Sequence, residues 1–203
     1  MAILELASTT EARHILEIGS SSGGGSTEAF ALGIARNPSK PRLHCMEISR
    51  TRFAALKDRY AGNDQISVYN ASSVPAAELP TDEQVSAFYS DHPTKLNKYP
   101  LAEVLSWLEA DRIYMSGSTI PDGIRHIMAQ SAIDQFDIVL IDGSEFTGEP
   151  ELARVYGAHW ILLDDINAHK NFRNYHRLHE DPAYRLVRED WEVRNGYAIF
   201  QRI

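Results

Sequence analysis

The chain reads as an α/β domain on a mostly parallel seven-stranded sheet, its last strand antiparallel, with one helical segment inserted at about residues 80–117. Three observations predict this. Apolar runs of strand length alternate with stretches of helix formers, the order of a parallel sheet with crossover helices. The first apolar run leads straight into a glycine- and serine-rich turn. The final two strand-like runs are joined by only a few residues around Asn195, whereas a parallel pair needs a crossover of a dozen or more.

In order, His14–Ile18 is a strand, and Glu28–Ala35 after the turn is a helix with Phe30 and Ile34 on one side. Leu43–Ile48 is the second strand, Arg50–Tyr60 a helix free of Gly and Pro, and Ile66–Asn70 a third strand between turn residues. The rhythm then breaks. Thr81–Tyr89 and Leu101–Ala110 read as helices around a loop bearing His92, Lys95 and Lys98. It resumes with a helix at Asp122–Ala132, a strand at Phe136–Ile141, a helix at Glu149–Tyr156, a strand at Trp160–Leu163 and a helix at Lys170–Glu180. Tyr184–Glu189 and Gly196–Arg202 close the sheet.

The 203 residues are 43% hydrophobic and 24% charged, which suits a single domain over 1–203 and excludes disorder, collagen and coiled coil. A net charge of -8 repels phosphate backbones and argues against nucleic acid as the main partner. Cys45 is the single cysteine, so no intrachain disulfide forms. Met1–Ala12 carries no signal pattern, and no apolar run is long enough to span a bilayer. The expectation is a cytoplasmic protein off the membrane, with a homo-oligomer left open.

The turn Gly19-Ser20-Ser21-Ser22-Gly23-Gly24-Gly25-Ser26-Thr27 puts backbone N–H groups where a polar ligand can come close. Glu47 ends the next strand, 22 residues beyond Gly25, where a carboxylate can accept from both ribose hydroxyls. A flexible turn followed by a surface glutamate is the plainer alternative. The spacing is not the Gly-x-Gly-x-x-Gly of dinucleotide folds, and Glu17 before the turn would repel a pyrophosphate. Both points favour an amine-bearing adenosine cofactor over a nicotinamide dinucleotide. Gly19-Ser20-Ser21-Ser22-Gly23 also matches the nucleophile elbow of α/β-hydrolases at Ser21, without a supporting His and acid.

Asp142 ends the fourth strand, and Asp164-Asp165 end the fifth. Parallel strands deliver their C-terminal ends to one edge, so these three carboxylates converge beside the cofactor. They suit a hard divalent ion such as Mg²⁺, or they cap the following helices. Cys45 reads as a buried hydrophobe, and His169, His176 and His179 lack the companions of a zinc site.

The chain resembles the class I S-adenosylmethionine-dependent methyltransferases, with their Rossmann-like sheet, over nearly its whole length. Ile15–Thr27 looks like that family's first motif, Met46-Glu47-Ile48 like its ribose-binding strand end, and Phe136–Gly143 like its fourth-strand motif. Glu17-Ile18-Gly19, Gly25-Ser26-Thr27 and Ile141-Asp142-Gly143-Ser144 are similar to small-molecule O-methyltransferases of the catechol, caffeoyl-CoA and macrolide-sugar type, although the glycine loop here is one residue longer. The resemblance implies S-adenosylmethionine on Glu17, Gly19, Ser20, Ser21, Gly25, Ser26, Thr27, Glu47, Ile48, Ser72 and Asp142. It implies a metal on Asp142, Asp164 and Asp165, and a hydroxyl of a sugar or polyketide-like metabolite as acceptor. Glu145 falls where relatives often carry a His or Lys base, so Glu145 and Asp142 are the catalytic candidates. The departure from His or Lys keeps open a catalytically silent cofactor-binding module.

Overall fold

The structure is a computed structural model and describes residues 2–203. Seven strands form one sheet: β1 (His14–Ile18), β2 (Arg42–Met46), β3 (Ile66–Tyr69), β4 (Ile138–Ile141), β5 (Trp160–Asp164), β6 (Tyr184–Asp190) and β7 (Tyr197–Arg202). Their order is β3-β2-β1-β4-β5-β7-β6. Neighbours from β3 to β5 pair parallel, and β7 runs antiparallel to both β5 and β6, as the short final connection predicts.

Helices α2 (Ser26–Arg36), α3 (Arg50–Arg59), α6 (Gly123–Ser131), α7 (Gly148–Val155) and α8 (His169–Glu180) are the crossovers. Strands buried on both faces alternate sides. Leu16, Ile18, Val139, Ile141, Ile161 and Leu163 join the core under α6, α7 and α8. Ile15, Leu43, Cys45, Ile138, Leu140 and Leu162 join the opposite core with Phe30 and Ile34 of α2. Cys45 is buried there, as expected. Helix α1 (Ala2–Thr9) was not legible as a helix in the sequence; it packs on α2 through Ala7, directly against Gly33.

The insertion holds α4 (Asp82–Asp91) and α5 (Leu101–Ser116). A Thr81/Gln84 capping box starts α4. The two helices and the turn between them, Lys95–Lys98, carry a third apolar cluster of Val85, Phe88, Leu96, Val104 and Leu108, closed by Phe146 from the loop after β4. The Lys95 amide donates to the carbonyl of Asn167 at 3.0 Å, and its ammonium reaches the carbonyls of Trp191 and Arg194. The insertion therefore roofs the loops that follow β4 and β5. Among the described residues no helix is long and apolar enough to cross a membrane.

Candidate functional site

A cavity of about 250 Å³ opens at the C-terminal ends of β1, β2 and β4, where open parallel sheets bind ligands. Gly19, Ser21, Glu47, Ile48, Ser72 and Asp142 line it, so six of the residues expected to meet a cofactor share one wall. The amides of Gly19 and Ser20 both donate to the carbonyl of Met46, at 3.0 and 2.9 Å, which folds the glycine loop over the end of β2. Glu47 is held from two sides, accepting from the amides of Ser21 at 2.8 Å and Ser49 at 2.7 Å. Each carboxylate oxygen keeps a further lone pair, so the pinned group still has capacity for two hydroxyls.

Glu17, Ser20 and Thr27 lie behind this wall rather than on it. The period of two turns Glu17 away from its neighbours Leu16 and Ile18, into the face shared with Cys45 and Leu140. There it is fully buried, accepting from the Thr27 hydroxyl at 2.6 Å, and burial raises its pKa. Thr27 also donates to the carbonyl of Ser20. This bracket shapes the loop from within. Gly25 and Ser26 line a different hollow, beside α1 and β7. Of the residues expected to face a cofactor, these five do not line this cavity.

Sequence reasoning also missed residues that the structure brings in. Asp111, Tyr114 and Met115 of α5 line the cavity, so the insertion walls this cavity as well as roofing the loops after β4 and β5. Burial raises the pKa of Asp111, which accepts from the Ser144 hydroxyl. Helical periodicity could not reveal this, because where an inserted helix docks depends on tertiary contacts.

The three aspartates converge as expected: one oxygen each from Asp142, Asp164 and Asp165 fall within 4.8 Å of one another. The unexpected member is Lys170, in the first turn of α8. Its Nζ donates to Asp142 at 2.8 Å and Asp165 at 2.7 Å, and its side chain is only 6% exposed. The two carboxylates raise the pKa of the ammonium against its burial, so it stays charged. This donor set would fit a divalent ion by itself. With the Lys170 ammonium already seated on Asp142 and Asp165 it does not, because the ion would need the place between those carboxylates that the ammonium fills.

Glu145 lies beside this cluster. Its Oε1 accepts from the Lys170 amide at 3.3 Å, and its carbonyl meets His169 Nδ1 at 3.3 Å. Burial pushes the Glu145 pKa up to about 7, with Lys170 opposing. His169 packs between Phe88 and Phe146, and burial lowers its pKa. His176 and His179 pack on Tyr175 instead.

The same architecture occurs in solved structures. The O-methyltransferase from Bacillus cereus in complex with SAH is 16% identical, with a TM-score of 0.57 over 100% of this chain and 79% of that one. The SAH-bound Podospora anserina methyltransferase PaMTH1 is 13% identical, with a TM-score of 0.53 over 100% and 76%. A methyltransferase from Geobacter sulfurreducens is 10% identical, with a TM-score of 0.54 over 100% and 76%. The chain has the methyltransferase fold. No protein-family model and no curated protein matches the sequence, so the likeness is carried by the backbone.

Proposed function

We propose that this protein is an S-adenosylmethionine-dependent methyltransferase acting on a hydroxyl of a small molecule, of sugar or polyketide-like type. The observation that carries the proposal is a strand-end cavity with a pinned carboxylate, Glu47, on one side and Asp142, Gly143 and Ser144 on the other, the segment that leads directly into the half-buried acid Glu145. SAH-bound proteins of the same fold support the choice of cofactor.

The cavity residues suit that cofactor. Glu47 accepts from the ribose hydroxyls, while Ser72, Ser73 and Asp111 offer polar groups to the adenine end. Gly19 leaves the backbone open, since a Cβ there would fall 1.9 Å from the carbonyl oxygen of Asp142. Bound S-adenosylmethionine supplies a methyl on cationic sulfur, which an acceptor oxygen takes as the C–S bond breaks and the electron pair stays on sulfur. The chain's task is to hold the acceptor, exclude water and remove its proton. Glu145 takes that proton, and its raised pKa matches it to near-neutral work. Phe88 and Phe146 pack on His169, whose Nδ1 meets the Glu145 carbonyl, and so close one side of this segment to solvent. A silent binding module has no need for a half-buried carboxylate with a raised pKa at this place, so the catalytic reading is favoured.

Methyl-labelled S-adenosylmethionine incubated with a panel of sugars and polyketide-like alcohols tests the reading. Label should move to an ether product with SAH released, and the rate should rise with pH through about 7. Label that stays on the cofactor across the panel, while SAH binds, would favour the silent module.

Glu145 also predicts a stability effect. Its folded pKa of about 7 lies above the ordinary 4.5, so its favourable contribution is full below about pH 4.5 and is lost as pH rises through about 7. Glu145→Gln should remove that loss, raising stability at pH 8 by about 1–3 kcal/mol while changing little at pH 4. Denaturation midpoints at the two pH values measure it. Equal effects at both would reject the assignment.

A further inference from the structure

We propose that the Lys170 ammonium is the resident cation of this site, standing in place of a divalent ion between Asp142 and Asp165, so that the protein takes up no metal there. The proposal rests on the methyltransferase reading only for the use made of that charge.

Four features build the lysine into its position. First, the ammonium makes close contact with both carboxylates and is almost wholly buried. Second, Asp165 adopts a left-handed backbone conformation with φ of 58°, uncommon for a residue other than glycine, and this conformation accompanies the contact between its carboxylate and the lysine. Third, α8 is fastened at its start. Asn171 Nδ2 donates to the carbonyls of Ile141 at 3.0 Å and Asp164 at 2.6 Å, tying the ends of β4 and β5 to the residue after Lys170. Gly148 packs so closely that a Cβ would sit 1.7 Å from the Lys170 carbonyl oxygen. Fourth, the first turn of a helix disfavours a cation, because the macrodipole is positive there. Helix stability therefore does not explain a lysine at this position; the carboxylates do.

Asp142, Asp164 and Asp165 face one buried ammonium, and the remaining cation near them is the exposed Arg194, with Nη1 4.0 Å from Asp164. An ammonium has three N–H donors, and the aspartates engage two. The third makes no hydrogen bond among the described residues. Lys170 thus supplies a fixed positive charge between Glu145 and Asp142, the aspartate on the cavity wall, without a soluble cofactor.

The test is Mn²⁺ binding followed by electron paramagnetic resonance, on the full chain after chelation. The wild type should show no saturable Mn²⁺ site. Lys170→Ala leaves the aspartates without their cation, so it should gain one, and Asp142→Asn in that background should remove it. If Lys170→Ala unfolds, Mn²⁺ should restore its folding transition, and Lys170→Gln serves as a second carrier of the gained site. A lysine with a merely structural role would not produce a new metal site when removed. A single saturable Mn²⁺ site in the wild type that Asp142→Asn abolishes would overturn the proposal, as would folded Lys170→Ala and Lys170→Gln proteins that gain none. SAH calorimetry run in parallel separates the two claims. Absence of SAH binding rejects the methyltransferase reading and leaves the metal result standing.

Discussion

Lys170→Ala should destabilise the fold by about 3–5 kcal/mol near neutral pH, the usual cost of leaving buried charges without their partner. The ammonium is buried against Asp142 and Asp165, and removing it leaves both carboxylates desolvated and facing Asp164. The sign of the pH dependence follows. Burial already raises the pKa of Asp142, with Lys170 opposing, and burial with the neighbouring aspartates raises Asp164 to about 6. Without the lysine, protonation in the folded state becomes still more favourable. The deficit should therefore be largest above pH 6 and shrink as pH falls below about 5. Urea denaturation of wild type and variant across that range gives the curve. A deficit that stays constant with pH would mean that the lysine acts through packing of its stem rather than through its charge.

Gly19→Ala should be at least as damaging, with a loss above about 4 kcal/mol or failure to fold. Gly19 has φ of 88°, and an added Cβ would lie 1.9 Å from the Asp142 carbonyl oxygen and 2.7 Å from its carbon. Both obstacles are backbone, at the junction of β1 and β4, so no side-chain rotation relieves them. Gly24→Ala in the same loop is the control. Its methyl would meet only the end of the Arg59 side chain, at 3.6 Å, and should change stability by less than about 0.5 kcal/mol. Equal thermal midpoints for the two variants would contradict the packing described for the loop.

The sheet was legible because its evidence is local. Apolar runs such as Ile138–Ile141 are buried on both faces, and the tight link between β6 and β7 leaves only an antiparallel pairing. The strand-end positions of Gly19, Glu47 and Asp142 followed from that sheet, since parallel strands present one kind of end to one edge. Glu17 did not follow. In a strand buried on both sides, composition does not reveal which face a polar residue takes, and register with Cys45 and Leu140 decides it. Lys170 was out of reach for a different reason. It lies five residues past Asp165 in the sequence, and its aim is set by the docking of α8 through Asn171 and Gly148. Asp111 depends in the same way on how the insertion folds back over the site.

The most direct test of the whole account is calorimetric titration with SAH. The wild type should bind one SAH per chain, and Glu47→Ala should weaken that binding by about 1–3 kcal/mol, the scale of hydrogen bonds to a charged group. The variant's thermal midpoint should be recorded beside it, because Glu47 also accepts from the amides of Ser21 and Ser49. No saturable SAH binding by the wild type, or a folded Glu47→Ala protein that binds SAH as tightly as the parent, would contradict the assignment of this cavity to the methyl donor.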